Sequence, residues 1–373
     1  MKLKITHLTS VHPRYDTRIF VKECQSLAAY GYDVSLIVAD GKGDESGHVS
    51  IYDVGKPSGR FNRILQTTTL VYQKALKLDS DLYHLHDPEL IPVGIKLKKL
   101  GKKVIFDAHE DVPVQILSKP YLGTVAKQIF SALFSLYEKT TCSKFDAVIT
   151  ATPFIRDKFS AINPLSVDIN NFPVLTEFES NVRWENRSDT VCYIGGISTV
   201  RGISELVLAM DKVQSNIQLI LAGSFGEKGL YEQVCSLSGW KKVVNKGFVD
   251  RHHIKEILSS SKAGLVTLHP IRNYIDALPV KMFEYMAAGV PVIASDFPLW
   301  REIIEKNACG LCVDPLQPSS IADAIDWIIT HPAEAEKMGQ NGQIAAKSIY
   351  NWKHEEDKLL QLYAKIFSGA KES

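Results

Sequence analysis

Short apolar runs alternate with amphipathic stretches along almost the whole chain. The runs KITHLTSV, DVSLIVAD, TVCYIGGIS and IQLILAGS are apolar, few residues long and bounded by turn residues, which predicts buried strands. Between the first two runs, Phe20, Cys24, Leu27 and Ala28 recur at helical spacing before Gly31, while Lys22 and Gln25 lie off this stripe and Glu23 at its margin. This alternation of strand and helix predicts doubly wound α/β domains built on parallel sheets.

The chain is too long for one ordinary hydrophobic core. Its 373 residues predict two domains, which the strand and helix pattern places at 1–175 and 188–350 with a polar linker between them. The last stretch, 351–373, predicts a closing helix.

One stretch in the second half, DALPVKMFEYMAAGVPVIASD (276–296), combines a helix with a following buried strand. Pro279 suits the start of the helix and Gly289 its end. Lys281 and Glu284 are three residues apart and therefore share one face near the helix N-terminus, where free N–H groups favour anions. The stretch predicts a site for a phosphate and a hydroxyl-rich group, or else a surface helix with an incidental Lys–Glu pair.

Composition excludes several classes of protein. The formal net charge of +1 gives no basic footprint of the kind that nucleic-acid binding requires. No run reaches the roughly 18 apolar residues of a membrane span, and the polar N-terminus does not read as a signal peptide, so we expect a cytoplasmic protein. Six scattered cysteines predict no disulfide framework, and we expect no metal site at Cys309–Cys312. His84 and His86 share one strand face, but no further ligand set is evident that would make HxHD a metallohydrolase.

The segment PVKMFEYMAAGVPVIASD resembles the donor-binding segment of glycosyltransferase family 4, whose fold is called GT-B. The resemblance implies two Rossmann-like domains facing a cleft. It also implies that the last helix, over 351–373, crosses back to the first domain with Trp352 as its anchor. It assigns Glu284 to the ribose hydroxyls of a nucleotide-sugar and Lys281 to the diphosphate. Asp276 takes the place of the first acid of the family's E-x7-E pair, without the usual glycine-rich run between the acids.

The same resemblance extends to other parts of the chain. Gly195 and Gly196 open a segment in which the family places an Arg and a Lys on the diphosphate; Arg201 takes the Lys position, and Gly196 replaces the Arg. The strand-end residues Gly223 and Ser224 point to the crevice, and Phe248 with Val249 matches the segment that brackets the nucleobase. His109 matches a histidine near the donor sugar and the acceptor. The alternatives are that His109 caps the next helix or pairs with Glu110.

The loop HPRYDTR occupies the place where family members often have a glycine-rich loop. Arg18 in this loop is expected to meet either an anionic ligand or Asp16 in a surface pair.

The implied activity is metal-independent, retaining transfer of a hexose from a nucleoside diphosphate to an acceptor hydroxyl, with no cofactor. Arg201, Lys281 and two helix N-termini would stabilise the leaving diphosphate, Glu284 would orient the ribose, and His109 would position the sugar or acceptor. Two alternatives remain: a nucleotide-sugar 2-epimerase, and a binding protein that has lost the chemistry.

The first half of the chain also suggests a membrane partner. Residues 1–170 contain 22 Lys and Arg against 18 Asp and Glu, with Lys96, Lys98, Lys99, Lys102 and Lys103 crowding one helix end. The nearby stretch 124–142 is rich in Leu and Phe, as in helices that lie on anionic membranes. The acceptor would then be a lipid-linked saccharide of cell-surface polysaccharide synthesis. The alternative is that these are ordinary helices with buried apolar faces.

Overall fold

A computed structural model describes residues 2–119, 123–179 and 182–368. The chain divides into two compact units. The first comprises the described residues of Met1–Asn171 and Lys353–Ser373, and the second is Phe172–Trp352.

The first unit is built on a sheet of seven parallel strands in the order β3-β2-β1-β4-β5-β6-β7. Its central strands are almost entirely buried on both faces, as the short apolar runs predicted, although β1 and β4 also bury His7 and His84. The order reverses between β1 and β4, where His7 pairs in register with His84. The strands are β1 (Lys4–Leu8), β2 (Asp33–Val38), β3 (Ser50–Asp53), β4 (Leu82–Leu85), β5 (Lys103–Ala108), β6 (Ala147–Thr150) and β7 (Ser166–Asp168).

Helices cover this sheet, and two of them contain π-helical turns. The segment Thr17–Cys24 is π-helical and continues as α1 (Gln25–Tyr30) up to Gly31. The placement of Lys22 off the buried stripe and of Glu23 only at its margin is wrong, because both are buried, at 1% and 0% exposure. The wider turn changes the angular spacing of side chains from the 3.6-residue period on which the expectation rested.

The predicted helix over 59–78 is likewise split, into α2 (Arg60–Asn62), a π-helical segment (Arg63–Thr67) and α3 (Thr68–Leu78). The remaining elements before the second unit are a 3₁₀ turn (Pro88–Leu90), α4 (Ile91–Lys99), α5 (Val112–Leu117), α6 (Thr124–Cys142) and α7 (Pro153–Ser160).

The second unit has six parallel strands in the order β10-β9-β8-β11-β12-β13. Its strand order reverses between β8 and β11, the position at which open α/β sheets bind ligands. The strands are β8 (Thr190–Ile194), β9 (Gln218–Ala222), β10 (Val243–Gly247), β11 (Ala263–Val266), β12 (Val292–Ser295) and β13 (Gly310–Val313). The helices are α8 (Ile203–Lys212), α9 (Leu230–Cys235), α10 (Arg251–Ser260), α11 (Arg272–Ile275), α12 (Val280–Ala287), α13 (Pro298–Asn307), α14 (Pro318–Thr330) and α15 (Pro332–Ser348). Short 3₁₀ turns lie at Leu175–Glu177, Trp184–Asn186, Thr199–Arg201 and Ser238–Lys242.

The predicted helix and strand of 276–296 are present as α12 and β12. Helix α12 follows Pro279 and buries Met282, Phe283, Tyr285 and Met286. Because this face fixes the helix against the sheet, the N-terminal turn with Lys281 is held at the carboxyl ends of β8 and β11.

The last helix, α16 (Trp352–Ser368), belongs to the first unit from Lys353 onward. Glu355 accepts the backbone N–H of Asn170, and the Tyr363 hydroxyl lies 2.8 Å from His84 Nδ1. The two contacts tie α16 to the end of β7 and to the centre of the sheet.

Candidate active site

The loop after β8 gathers polar groups around the carbonyl of Gly196. The Arg201 guanidinium donates to this carbonyl through NH1 at 2.9 Å, and the Tyr193 hydroxyl donates to it at 2.9 Å. Arg201 ends the turn Thr199–Arg201, which leads into α8. The guanidinium is therefore held beside the loop at the carboxyl end of the strand.

Glycine at position 196 provides the space for this guanidinium. A Cβ at Gly196 would lie 2.4 Å from Arg201 NH1, well inside van der Waals contact. The residue that replaces the family's arginine thus makes room for the arginine five positions later. One cation, that of Arg201, is therefore held in this loop.

Lys281 contributes the second cation of the pocket. Its Nζ lies 3.6 Å from the centre of the Tyr193 ring, over the face where a cation is attracted. This nitrogen is buried and has no hydrogen-bond acceptor among the described residues. Burial, with the charge of Arg201 adding to it, lowers the pKa of Lys281 well below its usual value. A buried ammonium beside a guanidinium is an arrangement that an anion would stabilise.

Glu284 lies one turn further along α12, with an exposed fraction of 6%. Its Oε1 accepts a hydrogen bond from Arg251 NH1 at 2.7 Å. Arg251 also donates from Nε to Glu177 at 3.0 Å and lies over the Phe178 ring. Sequence reasoning missed Arg251, because it lies 33 residues away on α10 and no local motif marks it.

The other residues predicted to bind the donor lie at the carboxyl ends of the strands. Gly223 follows β9, and a Cβ there would lie 1.9 Å from the Gly195 carbonyl oxygen, so the two loops pack backbone to backbone. Ser224 is exposed, and its carbonyl accepts the Ile197 N–H. Further round the sheet, Phe248 is 82% exposed and Val249 is half-buried; Asp276 is half-buried at the C-terminal cap of α11.

His109 belongs to the first unit, in the loop after β5. Its Nε2 lies 3.0 Å from Asp107 Oδ2 and 3.3 Å from His86 Nδ1, and its ring contacts that of His12. Both alternatives given for His109 are wrong. Asp111 caps α5 by accepting the Val114 N–H, and Glu110 accepts the side chain of Gln115.

Arg18 is buried and pairs with Asp107 through two hydrogen bonds, from Nε at 3.0 Å and from NH2 at 2.9 Å. The expected surface pair with Asp16 is therefore wrong; Asp16 instead caps the helical segment by accepting the N–H of Arg18. Burial acts to raise the pKa of Asp107, but the charge of Arg18 and the bond from His109 hold it well below its usual range. Arg18 therefore anchors the carboxylate that holds His109.

Four more ionisable side chains surround this pair in the core of the first unit. Burial lowers the pKa of His7 and of His84 well below the usual value, and burial lowers that of His86 to about 4. Burial, together with the charge of Asp107, raises the pKa of Glu23. Because β1 and β4 are neighbours, His7 joins the two histidines of HxHD, a ligand set that the sequence alone did not reveal.

The family comparisons divide the chain between two models. The model "Glycosyltransferase Family 4" matches residues 18–167, and "Glycosyl transferases group 1" matches residues 176–345. The chain is a glycosyltransferase of the group 1 and family 4 type. The family resemblance that the sequence indicated is thereby confirmed. The predicted α/β GT-B fold is confirmed as well.

Relatives of this glycosyltransferase are distant in sequence. An uncharacterised glycosyltransferase of Methanocaldococcus jannaschii is 25% identical over 300 residues, which cover 76% of this chain and 75% of the relative. The sucrose-phosphate synthase of Thermosynechococcus elongatus superposes with a TM-score of 0.79 at 19% identity, over 99% of this chain and 100% of the other. The Anabaena protein HepE, in complex with UDP-glucose, gives 0.73 at 16% identity, over 97% and 100%. At these identities the structures establish the fold.

Each candidate residue of the glycosyltransferase lies within the family match that covers its own unit. Arg201, Lys281, Glu284 and Arg251 fall within the group 1 match, and His109 falls within the family 4 match. Among the described helices, none combines the length and the apolar character that a membrane-spanning segment requires.

Proposed function

We propose that this glycosyltransferase transfers a sugar from a nucleoside diphosphate to an acceptor hydroxyl with retention of configuration. The observation that carries the proposal is the pair of cations around Tyr193. Arg201 donates to the Gly196 carbonyl, and the buried Nζ of Lys281 lies over the Tyr193 ring without a hydrogen bond to any described residue. Lys281 in the first turn of α12 and Arg201 just before α8 both lie beside the loop of Gly195 and Gly196, and two cations held together there favour a diphosphate. The complex of HepE with UDP-glucose supports a donor of this class.

The chemical demand of the reaction is to stabilise the charge that develops on the departing diphosphate. Arg201 and Lys281 are already in place before the reaction, so no reorganisation is needed as the bond breaks. Glu284 would accept a hydrogen bond from a ribose hydroxyl through its Oε2. Arg251 donates to Oε1, and no described residue donates to Oε2. In the first unit, Asp107 fixes the ring of His109, which would position the sugar or the acceptor.

Calorimetric titration with UDP, GDP and ADP tests this assignment. We expect one of the three to bind, and Lys281→Met to weaken its binding by about tenfold or more, since a charge-assisted bond to phosphate contributes roughly 1.5–3 kcal/mol. Lys337→Met is the matched control, because Lys337 is exposed on α15. Equal affinity in the two variants would remove Lys281 from the donor site.

A lipid-linked saccharide is the acceptor class that the surface of the first unit favours. Helix α6 exposes a continuous apolar stripe with few polar interruptions. Five of its large apolar side chains are at least half exposed: Val125, Ile129, Phe130, Leu133 and Leu136. The alternative in which the apolar face of this helix is buried is therefore wrong for α6.

Phe61 and Leu65 extend this apolar surface, with 84% and 68% exposure. A groove of about 570 Å³ lies between α3, α4 and α6 and is lined by Ile64, Leu65, Pro92 and Phe134 among others. A surface of this kind suits the interface of a membrane, where acyl chains cover apolar side chains.

The basic part of the membrane prediction needs correction. Lys98 pairs with Asp146 at 2.7 Å and Lys102 with Asp79 at 2.7 Å, so these cations are partly neutralised. Lys96 and Lys99 remain exposed. The apolar stripe therefore contributes more to the proposed membrane contact than the lysines do.

A further inference from the structure

Four side chains converge at the centre of the first unit without contact with solvent. His7 lies in β1, His84 in β4, His86 directly after β4 and Glu23 in the π-helical segment that packs on them. All four have exposed fractions of 2% or less. One potential ligand atom from each lies within 4.8 Å of the others.

Two of these atoms lack the partners that burial demands. His84 Nε2 and Glu23 Oε2 make no hydrogen bond with any described residue. Each unsatisfied buried polar atom costs about 1–3 kcal/mol, so this pair is not explained by packing alone. One cation that accepts both lone pairs, together with those of His7 Nδ1 and His86 Nε2, would remove the cost.

We propose that His7, Glu23, His84 and His86 form a structural zinc site. Imidazole nitrogens with one carboxylate favour Zn²⁺ over Mg²⁺ or Ca²⁺, which take oxygen ligands. Four protein ligands complete a tetrahedral shell and leave no position for water, which distinguishes a structural site from the metallohydrolase that HxHD suggested.

The spacing of the cluster is close to that of such a site. Zinc–ligand distances of roughly 2.0–2.2 Å place tetrahedral ligands about 3.4 Å apart. Glu23 Oε2 lies 3.9 Å from His86 Nε2 and 3.9 Å from His7 Nδ1. His7 Nδ1 and His86 Nε2 lie 2.8 Å apart, so these two rings would separate slightly while Glu23 moves in.

The residues around the cluster orient His84, His86 and Glu23 as a zinc site requires. Metal-bound histidines almost always use the other ring nitrogen for a hydrogen bond. His84 Nδ1 lies 2.8 Å from the Tyr363 hydroxyl, and His86 Nδ1 lies 3.3 Å from Asp107 Oδ2. Arg18 Nε lies 3.1 Å from Glu23 Oε1 and leaves Oε2 toward the cluster.

Zinc content of the full chain tests the site. The protein is expressed with zinc, freed of any affinity tag, desalted and measured by plasma mass spectrometry. We expect about one zinc per chain in the wild type and in the control His48→Ala, which removes an exposed histidine. Glu23→Gln and His84→Gln should each lose most of it. Zinc retained equally by all four proteins would overturn the proposal.

A second measurement covers the case in which the variants fail to fold. Wild-type protein is unfolded with a chelator, then refolded with Co²⁺, which substitutes for zinc and reports tetrahedral coordination by its visible absorption. We expect one tetrahedral Co²⁺ per chain, displaced by zinc. Wild-type protein that contains no zinc after expression and shows no tetrahedral cobalt after refolding would disprove the site.

Discussion

At the scale of single residues, Glu284 is predicted to bind the donor, and it also pairs with Arg251. Two substitutions can separate the binding role from the structural one. Glu284→Gln keeps an oxygen for Arg251 but removes the charge, whereas Glu284→Ala removes both. We expect donor binding and turnover to fall at least about tenfold in Glu284→Ala, which corresponds to roughly 1.4 kcal/mol. Steady-state kinetics and calorimetry measure this, with the exposed Glu334→Gln as control. Donor affinity that stays at the wild-type value would contradict the role.

Gly196 gives a second residue-scale prediction. A methyl group at this position would lie 2.4 Å from Arg201 NH1, and the guanidinium, as the end of a flexible side chain, would move away. We therefore expect Gly196→Ala to weaken donor binding by about tenfold, roughly 1.4 kcal/mol, with little change in melting temperature. In Gly226→Ala the new Cβ would meet its neighbours at an ordinary 3.5 Å, so this variant should bind normally. Wild-type affinity in Gly196→Ala would place Arg201 outside the site.

Lys281 predicts how donor binding responds to pH. Burial, with Arg201, lowers its pKa in the free protein, and a bound diphosphate would raise that pKa again. Between the two values binding takes up a proton, so affinity decreases as the pH rises through this window and is constant below it. Titration of the nucleotide in buffers of different ionisation enthalpy measures the uptake. Lys281→Met should abolish it; the same uptake in that variant would assign the proton to another group.

At the scale of elements, variants of α6 test whether its exposed apolar stripe binds a membrane. The wild type should sediment with anionic liposomes at low salt, and less as salt shortens the screening length to about 8 Å and below. Replacing Ile129 and Leu133 together by serine should reduce binding by about tenfold or more, since each buried side chain contributes roughly 1.5–3 kcal/mol. Ile344→Ser, at a 63% exposed position in the second unit, is the control. Sedimentation unaffected by the double change would favour a soluble acceptor.

The same scale shows what the sequence could and could not predict. Helix α12 and strand β12 follow from proline, glycine and an apolar run within 21 residues, all of them local signals. The π-helical turns were not predicted, because the sequence argument assumed one fixed helical period. The expectation for Lys22 and Glu23 failed for this reason.

Contacts between distant elements form the other part that the sequence did not predict. Arg251 and Glu284 meet because α10 packs against β8 and α12 packs against the neighbouring strand β11. His7 is 77 residues from His84, yet the β1–β4 neighbour pair of a doubly wound sheet puts them in register. That strand order was a usable signal, since the fold class itself was predicted correctly.

At the scale of the whole molecule, the two units differ in how they are assembled from the chain. The second unit is one continuous segment, Phe172–Trp352, whereas the first requires both Met1–Asn171 and the helix that follows Trp352. Tyr363 reaches His84 in the middle of the sheet, so this helix is part of the core of the first unit.

During synthesis on the ribosome, the first unit therefore begins earlier and finishes later than the second. The contact between His84 and Tyr363 cannot form until the ribosome has translated the complete second unit and the helix that follows it. A nascent chain stalled before residue 353 would contain a second unit that has all its residues and a first unit that lacks its final helix.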